Sequence, residues 1–125
     1  MAYQVFGDGP MDIVLIPDHA TNLEIMWEEP SLARFLMQLS SIGRLVCIDM
    51  RGTGVSDPIP LGVLPTMKQW MEDIRTVLEA VGSERVVVFG HGDGGMMAIF
   101  FVATYPKQTS ALVLADAYWV LCKAR

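Results

Sequence analysis

The stretch Arg85-Val86-Val87-Val88-Phe89-Gly90-His91-Gly92-Asp93-Gly94-Gly95-Met96-Met97-Ala98-Ile99-Phe100-Phe101-Val102-Ala103-Thr104-Tyr105-Pro106 decides the fold. Arg85 to Phe89 is a short valine-rich apolar run, the pattern of a strand covered on both faces. Gly90 to Gly95 carries four glycines in six residues and reads as a tight turn. Met96 to Tyr105 is a strongly apolar helix stopped by Pro106, which has no N–H to continue the helical ladder. Ala111 to Ala115 is a further buried strand. Strand, helix and strand in this order predict a parallel pair joined by a right-handed crossover.

Upstream, the same alternation continues. Thr66 and Gln69 form a capping box, and Trp70, Ile74, Val77, Leu78 and Val81 make a helical stripe that Gly82 stops. Leu45 to Ile48 is a strand ending at Asp49, followed by the turn-rich loop Arg51-Gly52-Thr53-Gly54-Val55-Ser56-Asp57-Pro58. Leu32, Phe35, Leu36 and Leu39 recur at helical spacing behind Ser31, which is expected as the N-cap. Ala2 to Phe6 and Asp12 to Ile16, joined by Gly7-Asp8-Gly9-Pro10, are expected to pair as a hairpin. The expected architecture is α/β: a mostly parallel sheet with helices on both faces, one domain over residues 1–125, without repeats or linkers.

Composition narrows the function. With 52% hydrophobic and 18% charged residues, the chain excludes disorder, and 125 residues bury about two-thirds of the surface of the unfolded chain. Net charge is −5 with nine scattered Lys and Arg residues, so neither nucleic acid nor a membrane is expected as a partner. The longest apolar run, Met96 to Ala103, falls far short of the roughly 20 residues of a membrane span. A soluble, cytoplasmic protein is expected. Cys47 reads as a buried small hydrophobe and Cys122 as a stray thiol; their spacing implies no metal site and no obligatory disulfide. No metal and no cofactor are expected, because His19 and His91 have no acidic or cysteine cluster at ligand spacing.

The turn Gly90 to Gly94 matches the nucleophile elbow G-x-S-x-G in everything except the serine. Glycine two residues before and after the nucleophile is needed where flanking backbones approach too closely for a Cβ, so Gly92 occupies the vacated nucleophile position. Leu15-Ile16-Pro17, the run Asp49 to Asp57, the elbow, and Ala103-Thr104-Tyr105-Pro106 before Ala111 to Leu114 agree in order with one family. On these motifs the chain resembles the N-terminal half of the α/β-hydrolase superfamily. It is most similar to hydrolase-like domains associated with class III adenylate and guanylate cyclases, through the Arg-Gly-Thr-Gly loop, the helix from Glu72 and the Val81-Gly82-Ser83-Glu84-Arg85 connection.

The resemblance implies an ester or epoxide hydrolase acting on a small molecule, with Ser, Asp or Cys at the elbow, an acid, and a histidine later in the chain. It implies an oxyanion hole made by the backbone N–H of Asp93 and one near Asp18 or His19. Gly92 offers no nucleophilic atom, and neither His19 nor His91 follows the elbow. The ending Trp119 to Arg125 also departs from the family pattern. The resemblance therefore implies a truncated or degenerate member with impaired catalysis.

Other readings of the same residues stand beside this one. Asp93 as a shifted nucleophile would put the bulky His91 where glycine is needed; a carboxylate at a helix N-terminus is the simpler reading. Asp116 is either the family's acid or a turn residue, and His91 packs beside the site without acting as base. His19 reads as a loop residue near the oxyanion pocket. Gly90, Gly92 and Gly95 also spell G-x-G-x-x-G, with Asp116 21 residues beyond Gly95, the fingerprint of a dinucleotide-binding module. A third class is an interaction module, since half of such a sheet exposes an edge that a second copy or a complementary chain would cover. Met96, Met97, Phe100, Phe101, Trp27 and Trp70 are expected in the core.

Overall fold

In the computed structural model, which describes residues 1–18 and 21–117, three apolar runs take the middle of a five-stranded sheet. They are β2 (Asp12–Ile16), β3 (Arg44–Asp49) and β4 (Val86–His91), flanked by β1 (Ala2–Phe6) and β5 (Thr109–Ala115) in the order β1-β3-β2-β4-β5. All neighbours are parallel except β1, which runs antiparallel to β3 from Ala2 opposite Asp49 to Phe6 opposite Leu45.

The expected hairpin between β1 and β2 does not form, because β3 stands between them. The burial patterns explain this. Strands β2 and β3 are buried at nearly every position and need partners on both edges, whereas β1 alternates between half-buried and exposed and suits the rim. Gly7 makes the link turn away, with φ +77° and no room for a Cβ against the Ser40 carbonyl.

Alternation along the strands divides the core into two layers. Val14, Ile16, Val46, Ile48, Val86 and Val88 pack against Ile74, Val77 and Leu78 of α2 (Met67–Ala80) and Met97, Ala98 and Phe101 of α3 (Gly94–Thr104). Ile13, Leu15, Leu45 and Cys47 face Leu36 of α1 (Pro30–Ile42), with Leu23 and Met26 beside it. Helices thus cover both faces, as expected for an α/β sheet. Phe101 and Leu36 are wholly buried, each stabilising the fold by roughly 2–3 kcal/mol. Trp27 and Trp70 are half-buried against the two layers, and Met96 lies on the exposed side of α3, contrary to the expected core position.

Two further expectations change. The N-cap of α1 is Glu29, not Ser31: its carboxylate accepts from the N–H groups of Ser31 (3.1 Å) and Leu32 (2.6 Å), while Pro30 needs no acceptor at the first helical position. Strand β5 is not buried; Leu112, Val113 and Leu114 are 37–44% exposed, because among the described residues nothing pairs with its outer edge. The capping box of Thr66 and Gln69 does form, and Gly82 closes α2 at φ +69°, letting the Ser83 N–H reach the Leu78 carbonyl at 2.9 Å. Cys47 is a buried free thiol, pushed up to about 12 by burial and by Asp49; Cys122 lies outside the described residues.

Asp49, at the end of β3, is fully buried. Its Oδ2 accepts from the N–H groups of Leu23 (3.1 Å) and Val55 (2.8 Å), and its carbonyl accepts from the Ser56 hydroxyl (2.6 Å). That hydroxyl also accepts the Ala2 N–H at 2.8 Å. Gly54, at φ +54°, gives the carboxylate its space. Arg51 grips Asp73 of α2 with both arms of its guanidinium, at 2.5 and 2.6 Å. The loop between β3 and α2 is therefore wound around one buried charge.

Asp49→Ala leaves two backbone donors without an acceptor and is expected to cost about 3 kcal/mol in urea unfolding, with Asp49→Asn costing less. A loss below about 0.5 kcal/mol for the alanine variant would show that the loop holds without its charge. Arg44 binds both oxygens of Asp12 at 2.7 and 2.8 Å and holds that carboxyl below its ordinary value of 3.8. A carboxyl lowered in the folded state contributes stability above its unfolded value and loses it as pH falls through the folded one. The stability gap between wild type and Asp12→Asn, less than about 1 kcal/mol at neutral pH, is expected to close in acid below about pH 3.8; a gap unchanged there would deny the pair its role.

Candidate functional site

Three glycines shape the turn from β4 into α3. A Cβ on Gly90 would lie 2.7 Å from Ala98 Cβ and from Gly95 Cα, and one on Gly94 would run into the carbonyls of Ile16 and Pro17. Gly92 stands at the apex with φ +57°, the left-handed region that side chains other than glycine enter at a cost. Its N–H donates to the Ala115 carbonyl at 3.1 Å, and its own carbonyl accepts from the Gly95 N–H at 3.0 Å. The turn is thereby fixed to the end of β5 on one side and to the first turn of α3 on the other.

The space over the apex belongs to Asp18, from the segment following β2. A Cβ built on Gly92 would lie 2.6 Å from Asp18 Oδ2 and 2.8 Å from its Cγ. The sequence reading gave Asp18 only a backbone role. No spacing rule points to this contact, because it joins residues far apart in the chain through the parallel pairing of β2 with β4.

Beside the apex, on the α1 face, opens a cavity of about 660 Å³, within the range typical of small-molecule pockets. Its walls are Leu15, Met26, Leu32, Phe35 and Phe89, and Asp18, Thr21, His91 and Asp116 are its polar residues. The rings of Phe35 and Phe89 meet edge to face at 5.7 Å. His91, Asp116 and Asp18 are thus brought to one cavity at the carboxyl ends of the strands, where open α/β sheets bind ligands. The apolar wall residues were not singled out as site residues from sequence.

Asp93 goes elsewhere. It lines a separate cleft of about 40 Å³ with Arg51, Thr53, Trp70 and Met97, on the α2 and α3 side. Its side chain and that of His91 therefore serve opposite sides of the turn, which counts against Asp93 as a shifted nucleophile; its place at the start of α3 agrees with the helix-terminus reading. Asp116 has φ +50° immediately after β5, the backbone of a turn residue. His19 lies outside the described residues. Among the described residues no group of three or more His, Cys, Asp or Glu can hold a metal ion, and no helix is long and apolar enough to cross a membrane. For a dinucleotide, the Asp18 carboxylate over Gly92 sets a negative charge where the pyrophosphate would approach the glycines.

Comparison with known proteins agrees with this geometry. A family model described as the alpha/beta hydrolase fold matches residues 20–122. The chain is 37% identical over 78 residues to a serine hydrolase-like protein of Danio rerio, covering 62% of this chain and 24% of that protein. It is 35% identical over 86 residues to epoxide hydrolase 2 of Siraitia grosvenorii, covering 68% of this chain and 27% of that protein. A hydrolase from Pseudomonas aeruginosa PA01 superposes with a TM-score of 0.79 at 26% identity, over 94% of this chain and 42% of that structure. The chain thus spans less than half the length of each. On the match of the family model to most of its residues, the chain belongs to the alpha/beta hydrolase fold family.

Proposed function

We propose that this chain is a cytoplasmic domain of the ester- and epoxide-hydrolase type that binds a small apolar molecule in the 660 Å³ cavity and does not turn it over through the family's triad. The observation that carries this reading is the apex of the elbow, where Gly92 presents no hydroxyl, thiol or carboxylate and the space above it is held by Asp18. The backbone N–H groups of Asp93 and of Asp18 or His19 remain the candidate oxyanion donors.

A second reading, an interaction module, is favoured by β5. Its outer edge pairs with no strand among the described residues, and Leu112, Val113 and Leu114 are half-exposed along it. A second copy or a complementary chain that continues the sheet would satisfy that edge.

Turnover of activated short-chain esters and of an aromatic epoxide by the purified chain is expected to equal that of a heat-denatured sample. Saturable turnover by the folded chain would overturn the proposal. Gly92→Ser is expected to rescue nothing, since its Cβ meets Asp18 within 2.6 Å on a backbone at φ +57°. For the second reading, sedimentation should reveal a concentration-dependent dimer that Val113→Lys disperses; a monomer at all concentrations would remove the edge from consideration.

A further inference from the structure

Helix α3 and strand β5 contain no charged residue, from Gly94 to Thr104 and from Thr109 to Ala115. A helix that is apolar on every side needs cover on every side. Met97, Ala98 and Phe101 of α3 face the sheet, and the flank carrying Thr104 meets Met71 of α2 at 3.5 Å. The opposite flank carries Ile99 and Ala103, with Met96 beside them; Ile99 is half-buried, and Met96 and Ala103 are exposed. That flank overlooks β5, since a Cβ on Gly95 at its foot would lie 3.6 Å from Leu114 Cδ2. The β4–β5 register sets Leu112 and Leu114 level with Val88 and Gly90, on the α3 side of the sheet. Ile99, Ala103, Leu112 and Leu114 thus form one apolar surface that ends at the outer edge of β5. Exposed edges are commonly protected by a charge or a proline, and β5 has neither over its seven residues.

We propose that this surface pairs with the same surface of a second copy of the chain, β5 against β5 in antiparallel order about a two-fold axis, joining two five-stranded sheets into one. The pairing rests on the reading of β5 as an interaction edge and commits that edge to one occupant; it is independent of the ligand and of catalysis. Charge selects the direction. Lys107 stands just before β5, and Arg85 reaches the Thr109 carbonyl at 3.4 Å, so that end of the strand is basic; Asp116 directly follows the other end. Parallel pairing would set like charges together at both ends, at a cost, whereas antiparallel pairing brings each Lys107 towards Asp116 of the other copy. A two-fold axis perpendicular to the sheet keeps both α3 helices on the same face, where Ile99 and Ala103 of each turn towards the other. All seven residues of β5 overlap when Leu112 stands opposite Leu112 and Ser110 opposite Leu114.

Disulfide trapping of the whole chain tests the pairing, in a Cys122→Ser background with Cys47 left buried. Directly opposite residues of an antiparallel pair have Cα atoms about 5 Å apart, within disulfide reach, whereas the two copies of Ser110 would stand about 14 Å apart. Leu112→Cys is therefore expected to oxidise to a covalent dimer by itself. Ser110→Cys and Leu114→Cys should each couple at least about tenfold more slowly alone, and should couple to one another when mixed. Ala103→Glu, at an exposed position, should raise the dimer Kd at least about tenfold with an unchanged circular dichroism spectrum. Efficient self-coupling of both Ser110→Cys and Leu114→Cys would mean parallel pairing and overturns the inference, as does a Kd untouched by Ala103→Glu. A sedimenting dimer in which none of the three cysteines couples overturns it while leaving self-association at another surface. A monomer at all concentrations overturns the edge reading as well, and resistance of its β5 amides to hydrogen exchange would assign the edge to another part of the same chain.

Discussion

The close approach of the β4–α3 turn to the end of β2 is the constraint on which the rest of the molecule depends. Gly94 lies so near the Ile16 and Pro17 carbonyls, and Gly90 so near Ala98 and Gly95, that neither can carry a side chain. This contact fixes the angle at which α3 leaves the sheet. That angle sends Phe101 and Ala98 into the fully buried layer against Val14, Val46 and Val88. The same contact brings the segment after β2 over the turn. Had Gly94 a Cβ, the strand and helix would have to separate by more than packed interiors tolerate, and Asp18 would no longer reach Gly92.

A second device holds the other loops of the carboxyl edge. Asp49 is a buried charge with two backbone donors on Oδ2 and, among the described residues, none on Oδ1. A buried carboxylate costs several kcal/mol in lost hydration unless such donors replace the water. Here they come from Leu23 and Val55, on two different loops, so the need of one charge ties both loops to the end of β3. Leu23 leads into Met26, a wall of the cavity, and Val55 belongs to the loop that Arg51 fastens to α2. A wall of the cavity is thus held by a charge that lies outside the cavity lining.

Much of this architecture was legible in the chain. The valine run, the glycine turn and the apolar helix each carry a local period, and local periods survive into the fold. The capping box at Thr66 was equally local. What failed was decided at a distance. Whether β1 pairs with β2 depends on β3, whose equally apolar run claims the central place; whether β5 is buried depends on what lies beyond it. At α1 the sequence reading put the cap at Ser31, and the fixed φ of Pro30 at the first helical position moved it ahead of the serine to Glu29. In the site, Gly92 was readable because elbow spacing is a matter of a few residues. Asp18 and the cavity walls were not, because they meet Gly92 only through the β2–β4 pairing.

Gly92 and Asp18 are best understood as a pair. A side chain at residue 92 requires the carboxylate to move, and the carboxylate in its present position leaves no room for a side chain. Each residue is acceptable because of the other, and their effects on the site cannot be additive. Substitution at Gly92 alone meets both the left-handed backbone at φ +57° and the charge above it. Substitution at Asp18 alone opens a polar hole at the mouth of an apolar cavity without placing any reactive atom there. The shape of this elbow therefore belongs to a contact between two elements of the sheet, not to one turn, and reading the turn by itself leaves out the residue that occupies the space over its apex.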